Sequence, residues 1–392
     1  MGNRGELWEK RGSNQRHLSL TYPWDRFAIR GIPFITTLRK RYERLLLQKN
    51  CAPKREPWMT GETETPVGNV PTVGTILTSR DRRGALKVRF AIGRHDYTVD
   101  PGLYAIGSPT PASPVFVSAN YKLSFDYLRC ALDDTDGWVL VLDTQGINVW
   151  CAAGKGTFGT EEIVNRVSKT QLDQIVSHRK LIVPQLGTPG VSATEVAKQS
   201  GFRVLYGPVR AEDLPAFLAA NFKATPAMRR VRFTLRDRID VIPVELIIWF
   251  KQALGLAIAL ALLGGISRNG LSVDGTPRAF GLVFIGWLTG GAIVPMLLPR
   301  IPGRSFALKG LWAGLVLWAV LGTAKLMGPT NLIEGGWGLM LMAIVSFMAL
   351  NFTGTSTYTS MSGVKKEMKI AIPLQLIAAI AGTLCIVLGG LK

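Results

Sequence analysis

The chain has 392 residues, 47% of them hydrophobic, and carries a formal net charge of +19 with only four cysteines. That length allows two domains, and the scattered Cys51, Cys130, Cys151 and Cys385 form no CxxC pair, so neither a zinc site nor an iron–sulfur cluster is encoded and a disulfide framework is not expected. The basic excess lacks the aromatic interleaving and the fold signatures of nucleic-acid binders, so no nucleic acid is expected as a partner.

Residues 1–58 are basic, densest at Arg39-Lys40-Arg41 and Arg44, and contain no signal-peptide core. They are expected to be a dispensable extension, with Met59 as an internal start; the competing reading is a membrane-surface helix over 24–47. Residues 59–240 read as a soluble α/β domain in the cytoplasm. Strand-like runs fall at 86–92, 114–119, 138–143, 181–184 and 203–206, and helix-like runs at 121–132, 160–167, 192–200 and 212–220. Thr160 with Glu161 and Glu162 gives the second helix a capped, acidic start. Such alternation predicts a Rossmann- or flavodoxin-like parallel sheet covered by helices.

The most informative stretch is Asn148-Val149-Trp150-Cys151-Ala152-Ala153-Gly154-Lys155, just past the strand at 138–143. It places a cysteine on a short helical turn at a strand end, where open α/β sheets bind ligands. Lys155 sets a positive charge one turn away, a setting in which cysteines act as nucleophiles or metal ligands. The competing reading is a buried cysteine acting as a small hydrophobe, and a reducing cytosolic location fits Cys151 best. Further strand-end loops run through Ser118, Ala119, Asn120 and Tyr121, through Gln185, Leu186 and Gly187, and through Gly207 and Pro208. In a parallel sheet these share one edge and line a single crevice. No nucleotide signature is present, because Gly154-Lys155-Gly156 lacks the upstream glycine spacing. Of the three histidines, His17, His95 and His178, none sits on a strand-end elbow; His95 reads as a turn and His178 as an exposed helix end.

After Asp240 the chain becomes apolar. Five segments are long enough to cross a bilayer: 247–266, 279–298, 306–324, 336–352 and 370–388, the fourth being the shortest. Arg229, Arg230, Arg232, Arg236 and Arg238 precede the first span, and Arg300, Arg304, Lys309 and Lys365, Lys366, Lys369 favour alternate loops, against Arg268, Arg278 and Lys325 in the others. This places the soluble domain in the cytoplasm and Lys392 outside. No carboxylate lies inside any span, which argues against an ion pump. Lys251 is placed to snorkel, and the small residues of 286–291 are expected to serve close helix packing.

Residues 148–155 closely resemble the signature of the mercury-methylating corrinoid proteins, a family of membrane-bound methyltransferases. Further matches lie at 113–126, 184–187, 204–210 and from 351–354 to 365–368, so the resemblance covers about residues 65–392. Residues 1–58 have no counterpart. The soluble part is similar to the corrinoid domain of the corrinoid/iron–sulfur protein large subunit. The resemblance implies a cobalamin-type corrinoid bound base-off. The family assigns the lower axial cobalt position to the cap-helix cysteine, so the resemblance implies Cys151 in that role; the chain has no DxHxxG histidine. Asn148–Lys155, Ser118, Asn120, Tyr121, Gln185–Gly187, Gly207 and Pro208 would bind the cofactor. It also implies a methyl donor from the methyltetrahydrofolate pathway, mercury(II) as acceptor, and a low-potential ferredoxin whose iron–sulfur clusters supply the electrons. The host would be an anaerobe and the location the cytoplasmic (inner) membrane of a bacterium or archaeon. The competing function is a membrane-anchored methyl carrier of one-carbon metabolism with another acceptor.

Overall fold

The computed structural model describes residues 56–94, 96–267, 270–354, 356 and 361–391. The basic cluster at 39–44, the helix expected at 24–47, His17, Cys51, His95, Arg268 and Lys392 lie outside the described residues.

Seven strands form one sheet: β1 (Met59–Thr65), β2 (Gly68–Val73), β3 (Gly102–Ile106), β4 (Val115–Ala119), β5 (Gly137–Leu142), β6 (Lys180–Val183) and β7 (Arg203–Tyr206), in the order β1-β2-β3-β5-β4-β6-β7. β5, β4, β6 and β7 are mutually parallel, with Val115 to Ala119 facing Trp138 to Leu142. β3 runs antiparallel to β5, and β1 and β2 add a hairpin at that edge. The domain is therefore α/β, with a mixed sheet whose core is parallel. β4 and β5 are buried at every position, as continuous apolar strands covered on both faces must be.

Alternate residues of the strands feed two cores. Val115, Val117 and Ala119 pack with Phe158, Ile163 and Val196, beneath α4 (Thr160–Lys169) and α6 (Ala193–Ser200). Phe116, Val139, Val141 and Ile182 pack with Phe125 and Phe217 on the other face, beneath α2 (Lys122–Ala131) and α7 (Leu214–Ala219). Between α4 and β6 lies a single turn, α5 (Leu172–Ile175). Trp58 belongs to this second core: it is buried, stacks edge-on against Phe125 at 5.2 Å, and accepts a hydrogen bond from the Gly74 N–H through its carbonyl. That residue therefore packs with the domain and not with an extension.

Three expectations need correction. Residues 86–92, read as a strand from their alternating apolar residues, lie in and beyond α1 (Ser79–Arg89). A capping box decides the matter: the Thr78 hydroxyl accepts from the Asp81 N–H while Asp81 accepts from the Thr78 N–H. Thr160 is not the cap of α4; Gly159 is, and the Thr160 hydroxyl accepts from the Ser192 N–H instead. His178 is not an exposed helix end: its ring is half-buried, with Nε2 bonded to the Ser113 carbonyl at 2.9 Å and Nδ1 accepting from the Lys180 N–H.

α1 and α2 are joined by four buried charges. Lys122 Nζ lies 2.8 Å from Asp81 and 2.6 Å from Asp126, while Arg129 lies 2.9 Å from Asp81 and 2.7 Å from Asp126. Each charge has two opposite partners, and the side chains are no more than 6% exposed. Arg129 also donates to the carbonyls of Gly74 and Ile76, and the Tyr97 hydroxyl donates to the Asp81 backbone carbonyl and to the Asp126 carboxylate. Burial alone would raise the Asp81 carboxyl. Hydrogen bonds from Lys122 and from the Thr78 N–H and hydroxyl outweigh it, holding the group at about 2 against an ordinary 3.8. Burial and the two carboxylates push the Tyr97 phenol up.

Five helices among the described residues are long and apolar enough to span a membrane, so the chain is a multi-pass membrane protein. They are α8 (Leu235–Gly264), α9 (Thr276–Leu288) continued through a π-helical turn at Thr289–Ile293 into α10 (Val294–Leu297), α11 (Phe306–Thr323), α12 (Asn331–Asn351) and α13 (Met361–Gly390). The segment that looked shortest in sequence, α12, is a full 21-residue helix and the most buried of the five, with α11 and α13 against it. Gly290 shows the expected close packing: a Cβ there would lie 2.7 Å from the Val345 carbonyl. α8 runs unbroken through position 240, and residues 220–234, without helix or strand, connect α7 to it.

Replacing Lys122 by Met is expected to cost about 3–5 kcal/mol, because two buried carboxylates lose their shared cation. The depressed Asp81 carboxyl contributes stability that is complete above its ordinary value and is lost as pH falls through about 2. Chemical unfolding should therefore show stability falling between pH 4 and pH 2, with a shallower fall in Asp81→Asn.

Candidate functional site

The carboxyl ends of the parallel strands share one edge, and β4 and β6 mark its switch point. From β4 the chain crosses through α2 to β5; from β6 it crosses through α6 to β7, on the opposite side. Such a divergence opens a crevice in an open α/β sheet. Over it lies α3 (Val149–Lys155), which packs against β4 and against the turn at Gln185–Gly187 that follows β6.

Local chemistry starts and stops α3 where it must. Asn148 is its N-cap, its side-chain oxygen accepting from the Cys151 N–H at 2.9 Å. Gly156 ends it in the left-handed conformation, φ 85°. The approach to the helix is fixed by Asn120, which is buried. Its Oδ1 accepts from the Thr144 N–H at 3.1 Å, the Thr144 hydroxyl at 2.8 Å and the Gly146 N–H at 2.9 Å. One carboxamide after β4 thus holds the whole loop after β5. Glu162 of α4 closes the same loop by accepting from the Asp143 N–H at 2.9 Å and from Arg166. Burial would raise the Glu162 carboxyl; the bonds from Asp143 and Arg166 outweigh it and lower it.

On the far side, α3 is seated by backbone contact. A Cβ on Gly190 would lie 2.2 Å from the Phe158 carbonyl and 3.0 Å from that of Ala153, so only glycine lets the β6 turn meet the helix. Phe158 is fully buried beneath this junction. Tyr206 donates to the Val191 carbonyl at 2.7 Å, and Arg229 donates to Gln185 at 2.8 Å.

The residues singled out from sequence separate into two groups. Trp150, Cys151, Gly154 and Lys155 are exposed on the outer face of α3. Nothing lies within 4 Å of where a Gly154 Cβ would be, so the face beside Cys151 is flat and open. Val149, Ala152, Ala153, Ser118, Asn120, Tyr121, Gly187, Gly207 and Pro208 are buried and form the platform; Asn148, Gln185 and Leu186 are half-buried at its rim. Cys151 is thus no core hydrophobe, in contrast to Cys130, half-buried, whose thiol burial pushes up. Thr144 and Gly146 were not singled out, while Glu162 was read only as part of an acidic helix start and Arg229 only as one of the arginines before the first span; their partners lie 19 to 44 residues away. The Thr157 hydroxyl, just past α3, is buried without a hydrogen-bond partner.

Among the described residues no group of three or more His, Cys, Asp or Glu side chains could hold a metal ion. The donor set is a single soft sulfur on an open face shared with Trp150, Gly154 and Lys155. That suits a metal which brings its own macrocycle and needs one axial protein ligand, and does not suit a bare ion.

A family model described as CO dehydrogenase/acetyl-CoA synthase delta subunit matches residues 85–218, from α1 to α7. The chain is similar to the acetyl-CoA decarbonylase/synthase complex subunit gamma of Methanopyrus kandleri, 34% identical over 127 residues, and to that of Archaeoglobus fulgidus, 32% identical over 126 residues. It is also similar to the corrinoid/iron–sulfur protein large subunit of Moorella thermoacetica, 30% identical over 125 residues. These matches cover 31–32% of this chain and 26–28% of the relatives, so the chain matches about a quarter of the relatives' length.

Asn120→Ala should leave the Thr144 and Gly146 donors unpaired, costing about 1–3 kcal/mol. Hydrogen exchange at residues 144–148 should accelerate well before that at β5. Gly190→Ala should displace α3, read as increased exchange across 149–158.

Proposed function

We propose that the chain is a membrane-anchored corrinoid methyltransferase that delivers a methyl group to inorganic mercury(II). The observation that carries the reading is the exposed sulfur of Cys151 on a rigidly seated helix above the sheet's switch point. Similarity over 125 residues to a protein named for its corrinoid supports the cofactor. The resemblance of residues 148–155 to the signature of mercury-methylating proteins supports the acceptor, as do five spans that a soluble methyl carrier would not need.

When bound, the corrinoid supplies the methyl-carrying chemistry of its cobalt. This chain's residues do the rest. Cys151 would be the residue that holds the cobalt, through a soft and electron-rich sulfur. Asn148 and the Asn120 clamp hold the helix that carries it, so the chain itself sets the position of that helix. Trp150 and the bare Gly154 give a flat apolar surface beside it. The chain encodes no cluster, so a ferredoxin must return the electrons. The methyl donor comes from the methyltetrahydrofolate pathway. Both are cytoplasmic, in keeping with a soluble domain on the inner face of a bacterial or archaeal membrane and a C-terminus outside.

The test is anaerobic reconstitution of the full-length protein with a corrinoid, a labelled methyl group, a chemical reductant and mercury(II). Methylmercury should form, and Cys151→Ala should lower its rate by more than about a hundredfold. Cys151→His should fall between the two, since imidazole donates less charge to the metal. A protein that takes up corrinoid and methyl but never yields methylmercury would be a methyl carrier with another acceptor.

A further inference from the structure

α1 carries a face that neither the core nor the cysteine site uses. Its inward side is fixed: Asp81 and Val88 are buried, and Gly84 packs on the Tyr97 ring. The opposite side is mixed. Leu86 is 57% exposed and Phe90 42%, with Ile92 at 61% just beyond the helix and Ile76 at 77% just before it. Arg80, Arg82, Arg83 and Lys87 are exposed around them. At 100° per residue, Arg83, Leu86 and Phe90 fall on one stripe, with Arg82 on one flank and Arg80 and Lys87 on the other. Large bare apolar side chains in such a cluster need a partner.

The position of the helix selects that partner. Arg89, at the end of α1, pairs with Asp240 at 2.6 Å, on the first turns of α8. The apolar run of α8 begins at position 247, seven residues on, which is about 10 Å along a helix. The polar layer of a bilayer occupies roughly 5–8 Å on each side. α1 is therefore tied to the membrane helix just above the headgroups, within reach of long basic side chains. A bulky apolar stripe flanked by arginine and lysine at this level has the composition of an interfacial helix. An acidic soluble protein would pair with the charges and leave Leu86, Phe90, Ile92 and Ile76 unsatisfied.

We propose that α1 and its flanking residues dock on the anionic headgroups of the membrane that α8 enters, basic side chains to phosphate and apolar side chains into the interface. The inference rests on α8 spanning a membrane and is independent of the chemistry at Cys151.

The experiment uses the full chain in lipid nanodiscs and hydroxyl-radical footprinting, which reports side-chain access directly. In discs containing anionic phosphatidylglycerol, modification of Leu86, Phe90 and Ile92 should fall about fivefold relative to discs of phosphatidylcholine alone. High salt should restore it. So should joint replacement of Arg80, Arg82, Arg83 and Lys87 by Gln, none of which belongs to the buried charge cluster. Phe222, exposed beside Lys180 of β6, should label equally throughout. Equal labelling of Leu86 and Phe90 in both lipids would overturn the proposal. Protection that arises only on adding an acidic soluble protein would overturn it too, and would assign the face to a protein partner.

Discussion

Asn120 is where the domain's two halves of work meet. Its carboxamide accepts three hydrogen bonds from the loop after β5, and that loop delivers the chain to α3. A buried amide oxygen with three donors leaves the loop essentially one conformation. Two residues on, Lys122 enters the buried four-charge cluster. The short segment that leaves β4 therefore fixes the cysteine helix on one side and anchors α2 and α1 on the other. Neither feature is a strong source of net stability in isolation, since buried ion pairs repay most of what their desolvation costs. What they supply is position.

The same fixing extends to the membrane. α1 is tied to α2 by the charge cluster and to α8 by Arg89 and Asp240, and Arg210 adds a second tie to Asp237 of α8 at 2.8 Å. Arg238, buried, donates to the carbonyls of Pro295 and Met296, closing the end of the second span. Two ion pairs thus reach the first turns of α8 from different elements of the soluble domain.

Much of this was legible in sequence where strands are apolar throughout. β4 and β5 announce themselves as runs such as Val115-Phe116-Val117 and Val139-Leu140-Val141, buried on both faces. α2, α4 and α6 follow from helical spacing. β1 to β3 were not legible: Met59–Thr65 is largely polar, and β3 is five residues whose antiparallel seat against β5 depends on distant partners. Residues 86–92 misled because Leu86, Val88, Phe90 and Ile92 alternate as a strand would, while the signal that governs them, Thr78 with Asp81, lies a turn upstream. At the site, the helix carrying Cys151 was readable from its own residues. The Asn120 clamp and the Gly190 contact were not, because each joins residues far apart in the chain.

The central claim is that the sulfur of Cys151 meets the cofactor's metal. X-ray absorption at the cobalt edge of the anaerobically reconstituted full-length protein addresses it most directly. A cobalt–sulfur scattering path should be present in the wild type and absent from Cys151→Ala loaded with the same corrinoid. A wild-type spectrum accounted for by nitrogen and oxygen ligands alone, unchanged in the alanine variant, would contradict the account.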